Sequence, residues 1–132
     1  MNLPNPFFKE VVDTHIDIEH WLSGRAEPGR LATLLARFSP GFSMITLSGT
    51  VLDYAGVNAL FSHGHGARPR LMIGIDELQV LAVWSDGAAI GYRETQTDGE
   101  ERRTVRRSTA IFRREADGVI VWRHLHETPV AA

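Results

Sequence analysis

The sequence predicts an α+β domain in which three N-terminal helices pack across a long, bent antiparallel (mixed) sheet that curls into a cone. Three observations carry that prediction. Helical periodicity occupies the first half of the chain and strand alternation the second, the order of an α+β fold rather than of repeating βαβ units. One alternating run changes phase in its middle, at Asp76-Glu77, which demands a bulge or a sharp bend. The 132 residues, 43% hydrophobic and without cysteine, suit one domain spanning residues 1–132. A chain of that length buries a core without disulfides or a structural metal.

Each element has a local reason. Across residues 7–23, Phe8, Val11, Val12, Ile18 and Leu22 fall on one broad helical face, with Pro4 and Pro6 fixing the start and Gly24 ending the run. A second helix lies between Glu27-Pro28-Gly29 and Phe38, with Leu31, Leu34, Leu35 and Phe38 at helical spacing, and Ser39-Pro40-Gly41 stops it. Residues 42–47 read as a strand, Ser48-Gly49 as a tight turn and residues 50–52 as a short return strand. Asp53 is the N-cap of a third helix that carries Val57, Leu60 and Phe61 as far as about Ser62. The His63-Gly64-His65-Gly66 stretch and Pro69 cannot extend it.

Strands make up the remainder. Leu71, Ile73 and Ile75 alternate, and Leu78, Val80, Ala82 and Trp84 continue in the opposite phase. Ser85-Asp86-Gly87, Asp98-Gly99 and Ala116-Asp117-Gly118 then separate strands at residues 88–97, 104–114 and 119–128.

Composition removes whole classes of function. Without cysteine there is no thiol catalysis, iron–sulfur cluster or thiolate zinc site. No apolar stretch approaches the roughly 20 residues of a membrane span. The N-terminal stretch lacks the basic start and apolar block of a secretory signal, so a cytoplasmic location is expected. Net charge is −2, and the densest basic run, Arg102-Arg103-Thr104-Val105-Arg106-Arg107, directly follows Asp98, Glu100 and Glu101. Polyanion binders gather uncompensated positive charge, so nucleic acid is not the expected partner. Glycine-rich phosphate loops, Gly-x-Ser-x-Gly elbows and His-Glu-x-x-His are all missing. No cofactor is expected.

The chemistry-bearing residues leave alternatives open. His15 and Glu19 stand one turn apart in the middle of the first helix's apolar face. They form an acid–base pair facing a pocket, or a buried hydrogen-bonded pair, or Glu19 sits at the rim paired with an arginine. His63 and His65 lie in a glycine-rich loop. His124 and His126 on one strand face stand about 6–7 Å apart, a chelating distance that still lacks a placed third ligand, and no metal site is assigned. Arg93 and Glu94 occupy opposite faces of one strand. Arg93 pointing inward with Thr109 would supply a fixed cation and a hydroxyl for a small carboxylate, whereas Glu94 pointing inward becomes a candidate base.

The closing segments, Phe112-Arg113-Arg114-Glu115-Ala116-Asp117-Gly118 and Trp122-Arg123-His124-Leu125-His126-Glu127-Thr128, resemble the last hairpin of the nuclear-transport-factor-2-like (cystatin-like) roll. They are most similar to its SnoaL-like branch and to the association domain of calcium/calmodulin-dependent protein kinase. Tyr92-Arg93 before Thr95-Gln96, and the strand–turn–strand–helix order of residues 42–61, agree. The resemblance covers roughly residues 8–129 in element order and is specific for fold but not for activity, since this fold hosts isomerases, dehydratases, cyclases and binding modules. It implies that Arg93 matches a pocket arginine of the association domain, while Thr109 and Glu127 replace two others. That mapping turns Arg123 and Leu125 inward and Trp122, His124 and His126 onto the outer sheet face, where this superfamily often dimerises.

Three functions follow as expectations. The first is a homodimeric module binding a small, partly apolar molecule between the first helix and the sheet, with His15, Glu19, Tyr54, Arg93, Thr109 and Glu127 at the pocket. The second is an isomerase, dehydratase or cyclase in which Glu19 or Glu127 abstracts a carbon-bound proton while His15 or Arg93 steadies the oxyanion. The third is an assembly module that dimerises through the outer sheet face over a vestigial pocket.

Overall fold

A computed structural model describes residues 5–100 and 102–131. The contribution assigned to Pro4 and the acidic residue Glu101 lie outside the described residues. Helix α1 runs Pro6–Leu22 with Pro6 at its first position, and Asn5 caps it by accepting the Phe7 and Phe8 N–H groups at 2.8 and 3.1 Å. Gly24 follows at φ +83°, a left-handed conformation that costs glycine little and other residues much. A single 3-10 turn, Pro28–Arg30, leads into the short helix α2, Leu31–Leu35. Strand β1 is Phe38–Ile45, β2 is Val51–Asp53, and α3 is Tyr54–Ser62, with Asp53 accepting the Gly56 N–H at 2.9 Å. The strands β3 Leu71–Trp84, β4 Gly87–Asp98, β5 Arg103–Arg114 and β6 Ile120–Pro129 complete the chain.

The six strands form one mixed sheet in the order β2-β1-β6-β5-β4-β3, with the β1–β6 pair parallel and the others antiparallel. One expectation is corrected here. Ser39-Pro40-Gly41 does not end the second helix, which stops at Leu35; these residues belong to β1, as does Phe38. Proline survives there because the β1–β6 ladder is interrupted between Phe38 and Ser43, so its missing N–H breaks no regular pairing.

The core lies between α1 and the inner sheet face. Phe7, Val11, Thr14 and His15 are buried along α1, while Phe8 and Val12 are only half-buried at its edge. Trp122 is the largest fully buried side chain, and it stacks at an angle on Phe112 with centroids 4.6 Å apart. Its indole Nε1–H donates to Thr14 Oγ1 at 3.0 Å, giving a buried donor the partner it requires. Thr14 in turn donates to Glu10, which accepts Arg37 from the chain just ahead of β1. The expected bend in β3 is present: pairing with β4 shifts between Asp76 and Gln79, and Glu77 takes φ +51°. Beyond it the expected alternation gives way to exposure, because a second irregularity follows at residues 80–82; Val80, Leu81, Val83 and Trp84 all stand in solvent. No helix among the described residues is long and apolar enough to cross a membrane.

Candidate functional site

Strand register writes the inner face as a series of cross-strand rows. Ala88, Phe112 and Trp122 form the first; Ile90, Ala110 and Leu125 the second; Tyr92, Ser108 and Glu127 the third; Glu94 and Arg106 the fourth. The face therefore changes from hydrocarbon to polar along its length. Above the polar end, α1 presents His15 with Ile18 and Leu22, and α3 presents Val57 and Phe61. Between them lies a cavity of about 380 Å³, walled largely by aromatic and aliphatic side chains and ended by His15, Glu94, Gln96, Arg106 and Glu127.

His15 is held from both sides. Its Nδ1 lies 2.7 Å from the Val11 carbonyl oxygen and its Nε2 lies 3.2 Å from Glu94 Oε1. The Val11 carbonyl only accepts, so Nδ1 carries a proton, and the carboxylate beside Nε2 favours the doubly protonated, cationic ring. Burial opposes that charge, but Glu94 more than offsets it and His15 holds its proton above the ordinary imidazole value. Burial likewise pushes Glu94 up, yet His15, the Gln96 amide donating at 2.7 Å and the Arg106 charge bring it down to about 2. Glu127 differs. Burial raises its proton affinity, the Arg106 guanidinium at 3.4 Å only partly opposes this, and the Glu94 charge adds to it, so Glu127 ends above the usual carboxylate range. Two carboxylates on neighbouring rows are thus set apart, one fixed as an anion and one poised to hold a proton.

Among the described residues, the buried side-chain polar atoms Tyr92 Oη, Arg106 Nε and Ser108 Oγ have no hydrogen-bond partner of good geometry, and Glu94 Oε1 has only its ion-pair contact with His15. All four belong to the third and fourth rows. Natural interiors rarely leave such atoms unpaired; of the four residues, Glu94 and Arg106 line the cavity, and the free Arg106 Nε at its polar end suits a polar group.

The sequence candidates divide. His15 and Glu127 come together on the cavity wall, with Glu94, the inward alternative to Arg93. Glu19 does not join them: it accepts Arg25 Nη2 at 2.8 Å and the Ile73 N–H at 2.7 Å, tying α1 to β3. A carboxylate at the edge of an apolar face had to find such partners. Arg93 lies on the outer face with Asp76 and Glu77 at the β3 bend, bonding Asp76 at 2.8 Å. Thr109 is exposed on that same face, and Tyr54 packs on the core from the first turn of α3, away from the cavity wall. The orientations drawn from the association-domain mapping reverse for two residues, since Trp122 is buried inward and Arg123 points out to the Gly41 carbonyl. The cause is a register shift in the β5–β6 ladder at Arg123, which adds one residue and turns Trp122, Leu125 and Glu127 to one side. His124 bonds Ser43 Oγ at 2.8 Å, and His126 is exposed. His63 caps its own helix on the Ala59 carbonyl, and His65 stacks on Trp21 with ring centroids 4.2 Å apart. No group of three or more metal-ligating side chains converges among the described residues. Gln96, Arg106 and Ser108 were not singled out, although the alternation Ala88, Ile90, Tyr92 leads on through Glu94 to Gln96 and was the signal for the inward face.

No family model and no curated protein matches the chain. Solved structures do. A nuclear-transport-factor-2-like protein of unknown function from Pseudomonas aeruginosa is 40% identical, covering 95% of this chain and 98% of its own, with a TM-score of 0.91. A proposed dehydratase of the same superfamily from Streptomyces avermitilis is 19% identical over 98% of this chain and 100% of its own, with a TM-score of 0.71. A proposed calcium/calmodulin-dependent protein kinase type II association domain from Thiobacillus denitrificans is 24% identical over 76% of this chain and 82% of its own, with a TM-score of 0.65. The latter two share the fold. With the curled sheet and helix order already described, 40% identity over nearly the full length of both chains makes this protein a member of the nuclear-transport-factor-2-like superfamily.

Proposed function

We propose that the protein takes a small, neutral, largely apolar molecule into the cavity between α1 and the sheet and moves a proton on it with Glu127. The unpartnered Arg106 Nε in the cavity wall, beside two carboxylates of opposite protonation tendency, carries this reading. A cavity of about 380 Å³ suits a bicyclic ligand, and an anion would have to face both carboxylates. A carbonyl oxygen directed at Arg106 Nε meets an unpartnered donor, with the His15 imidazolium adding positive charge nearby. Glu127 then takes a proton from the carbon next to that carbonyl. The C–H electrons pass into the new C=C bond, the former C=O pair comes to rest on the oxygen, and Glu127 becomes the neutral acid its surroundings favour. Returning the proton to another carbon isomerises the ligand; delivering it to a departing hydroxyl dehydrates it. Glu94 does not abstract the proton, since it is committed to His15 and Gln96.

The test is proton exchange in heavy water, followed by NMR on neutral ketones such as β-tetralone. The wild-type protein is expected to accelerate exchange next to the carbonyl, Glu127→Gln to lose about a hundredfold or more of that acceleration, and ligand-induced thermal stabilisation to persist in the variant. Stabilisation without exchange in either protein leaves a binding module. Absence of both across the panel overturns the reading.

A second copy of the chain is the proposed partner on the outer sheet face. A shallow groove there holds exposed Leu81, Thr109 and His126 together with Glu77 and Arg107, so one surface carries an apolar contact and both signs of charge, as a two-fold interface requires. The likeness to an association domain points the same way.

A further inference from the structure

Segment 63–70, between α3 and β3, forms part of the cavity mouth through Gly64, Ala67 and Arg68. It is laid against the end of α1 by two backbone bonds, Gly66 N–H to the Trp21 carbonyl at 3.1 Å and Arg68 N–H to the Leu22 carbonyl at 2.8 Å. The backbones touch there: a Cβ added to Gly24 would stand 3.2 Å from Gly66 Cα. From this segment Arg68 reaches inward, donating Nη1–H to Gln96 Oε1 at 2.7 Å and Nε–H to Asp98 at 3.0 Å. Gln96 donates its amide N–H to Glu94 Oε2 at 2.7 Å, and the other oxygen of Glu94 faces His15.

We propose that Gln96 and Arg68 are positioning residues, a relay through which the buried Glu94 carboxylate holds the mouth segment closed and is itself held in place. The chemistry of the amide makes the relay directional. An ionised carboxylate only accepts and a guanidinium only donates, so one orientation of the Gln96 side chain satisfies both neighbours and the flipped one satisfies neither. Neutralising Glu94 removes its half of that selection and the charge on the bond, leaving Arg68 alone to hold the Gln96 amide oxygen. A ligand that donates to Glu94 competes with Gln96 for the same group, so occupancy of the polar end and closure of the mouth are linked. This extends the reading of the cavity given above, but its test needs no ligand, so failure of the proton-transfer reading leaves the result standing.

The measurement is native-state amide hydrogen exchange of the full chain at Gly66 and Arg68, with the slowest core amides as the reference for global stability. Glu94→Gln and Arg68→Met are each expected to speed both amides by about tenfold relative to the core, as loss of a charge-assisted bond predicts. The double variant should exchange no faster than the faster single variant, because both changes cut one chain. Arg68→Lys, which still donates to Gln96, should restore most of the protection. Glu127→Gln, on the same cavity but off the relay, should stay within about twofold of wild type. Should Glu94→Gln fail to fold, Gln96→Leu cuts the same link while leaving both charged ends in place. Unchanged exchange at both amides in Glu94→Gln or Gln96→Leu, or effects that multiply in the double variant, overturns the relay and leaves Arg68 acting through Asp98 alone.

Discussion

Two side chains, His15 and Glu94, decide how the polar end of the cavity is charged, and their burial makes that a question of stability as well. Glu94 has its proton affinity depressed on folding to about 2, so its contribution is present above its ordinary value near 4.5 and is lost as pH falls toward 2. His15 has its affinity raised, so its contribution is complete below 6.5 and is lost as pH rises through the higher folded value. Glu127, also raised, favours its neutral form in the fold and adds a further loss as pH climbs above 4.5. Stability should therefore be highest close to pH 4.5, falling as pH drops toward 2 and declining again on the way to neutrality and above. Urea denaturation across pH checks this. His15→Gln, which strands a buried carboxylate, should cost about 3 kcal/mol near pH 5.5 and progressively less as pH rises through the His15 titration. At this scale the sequence was half legible. His15 could be placed on a buried face because its angle among Val11, Ile18 and Leu22 is set by helix geometry alone. Arg93 against Glu94 could not be decided by charge, both being ionised residues on one strand. Apolar phase decided it, since Ile90 and Tyr92 had already committed that strand's inner face.

Elements acquire their phase from irregularities, and these differ in how plainly a sequence shows them. The β3 bend was legible because Ile73 and Ile75 alternate in one phase and Leu78 in the other. Its residue Glu77 occupies the left-handed region at φ +51° and keeps its carboxylate near Arg93 and Arg107. Replacing it with a β-branched residue should cost about 1–2 kcal/mol, whereas Glu77→Gly should stay within about 0.5 kcal/mol, the relieved backbone offsetting the lost surface pairs. Equilibrium unfolding of the two variants measures the difference, and equal costs would mean that the charge pairs dominate at this bend. The β6 bulge was not legible. Val121, Arg123, Leu125 and Glu127 look like one regular face, and only the awkwardness of an inward arginine beside an outward tryptophan betrayed the extra residue. Proline in β1 misled for a related reason: Ser39-Pro40-Gly41 carries every local mark of a stop, and what rescues it is a gap in a ladder formed with a strand some eighty positions away.

Taken whole, the molecule is a single sheet with unlike faces. Helices α1 and α3 close over the inner face, leaving the cavity at its polar end. No described element covers the outer face, where an antiparallel sheet often meets water without any partner. What favours a second copy is the local composition: Leu81, 51% exposed, stands beside Gly91, Thr109 and His126, and Glu77 and Arg107 supply opposite charges on the same surface. If two copies meet there, sedimentation equilibrium should give twice the chain mass, and Leu81→Asp should halve it by burying an uncompensated charge at the contact. Because the cavity opens on the opposite side of the sheet, the monomeric variant should still be stabilised by the ketones that stabilise wild type. A wild-type protein that sediments as a monomer at about 100 μM would remove the assembly reading while leaving the cavity chemistry intact. A Leu81→Asp protein that also loses ligand stabilisation would instead mean that the two faces are coupled through the rows of β4 and β5 that they share.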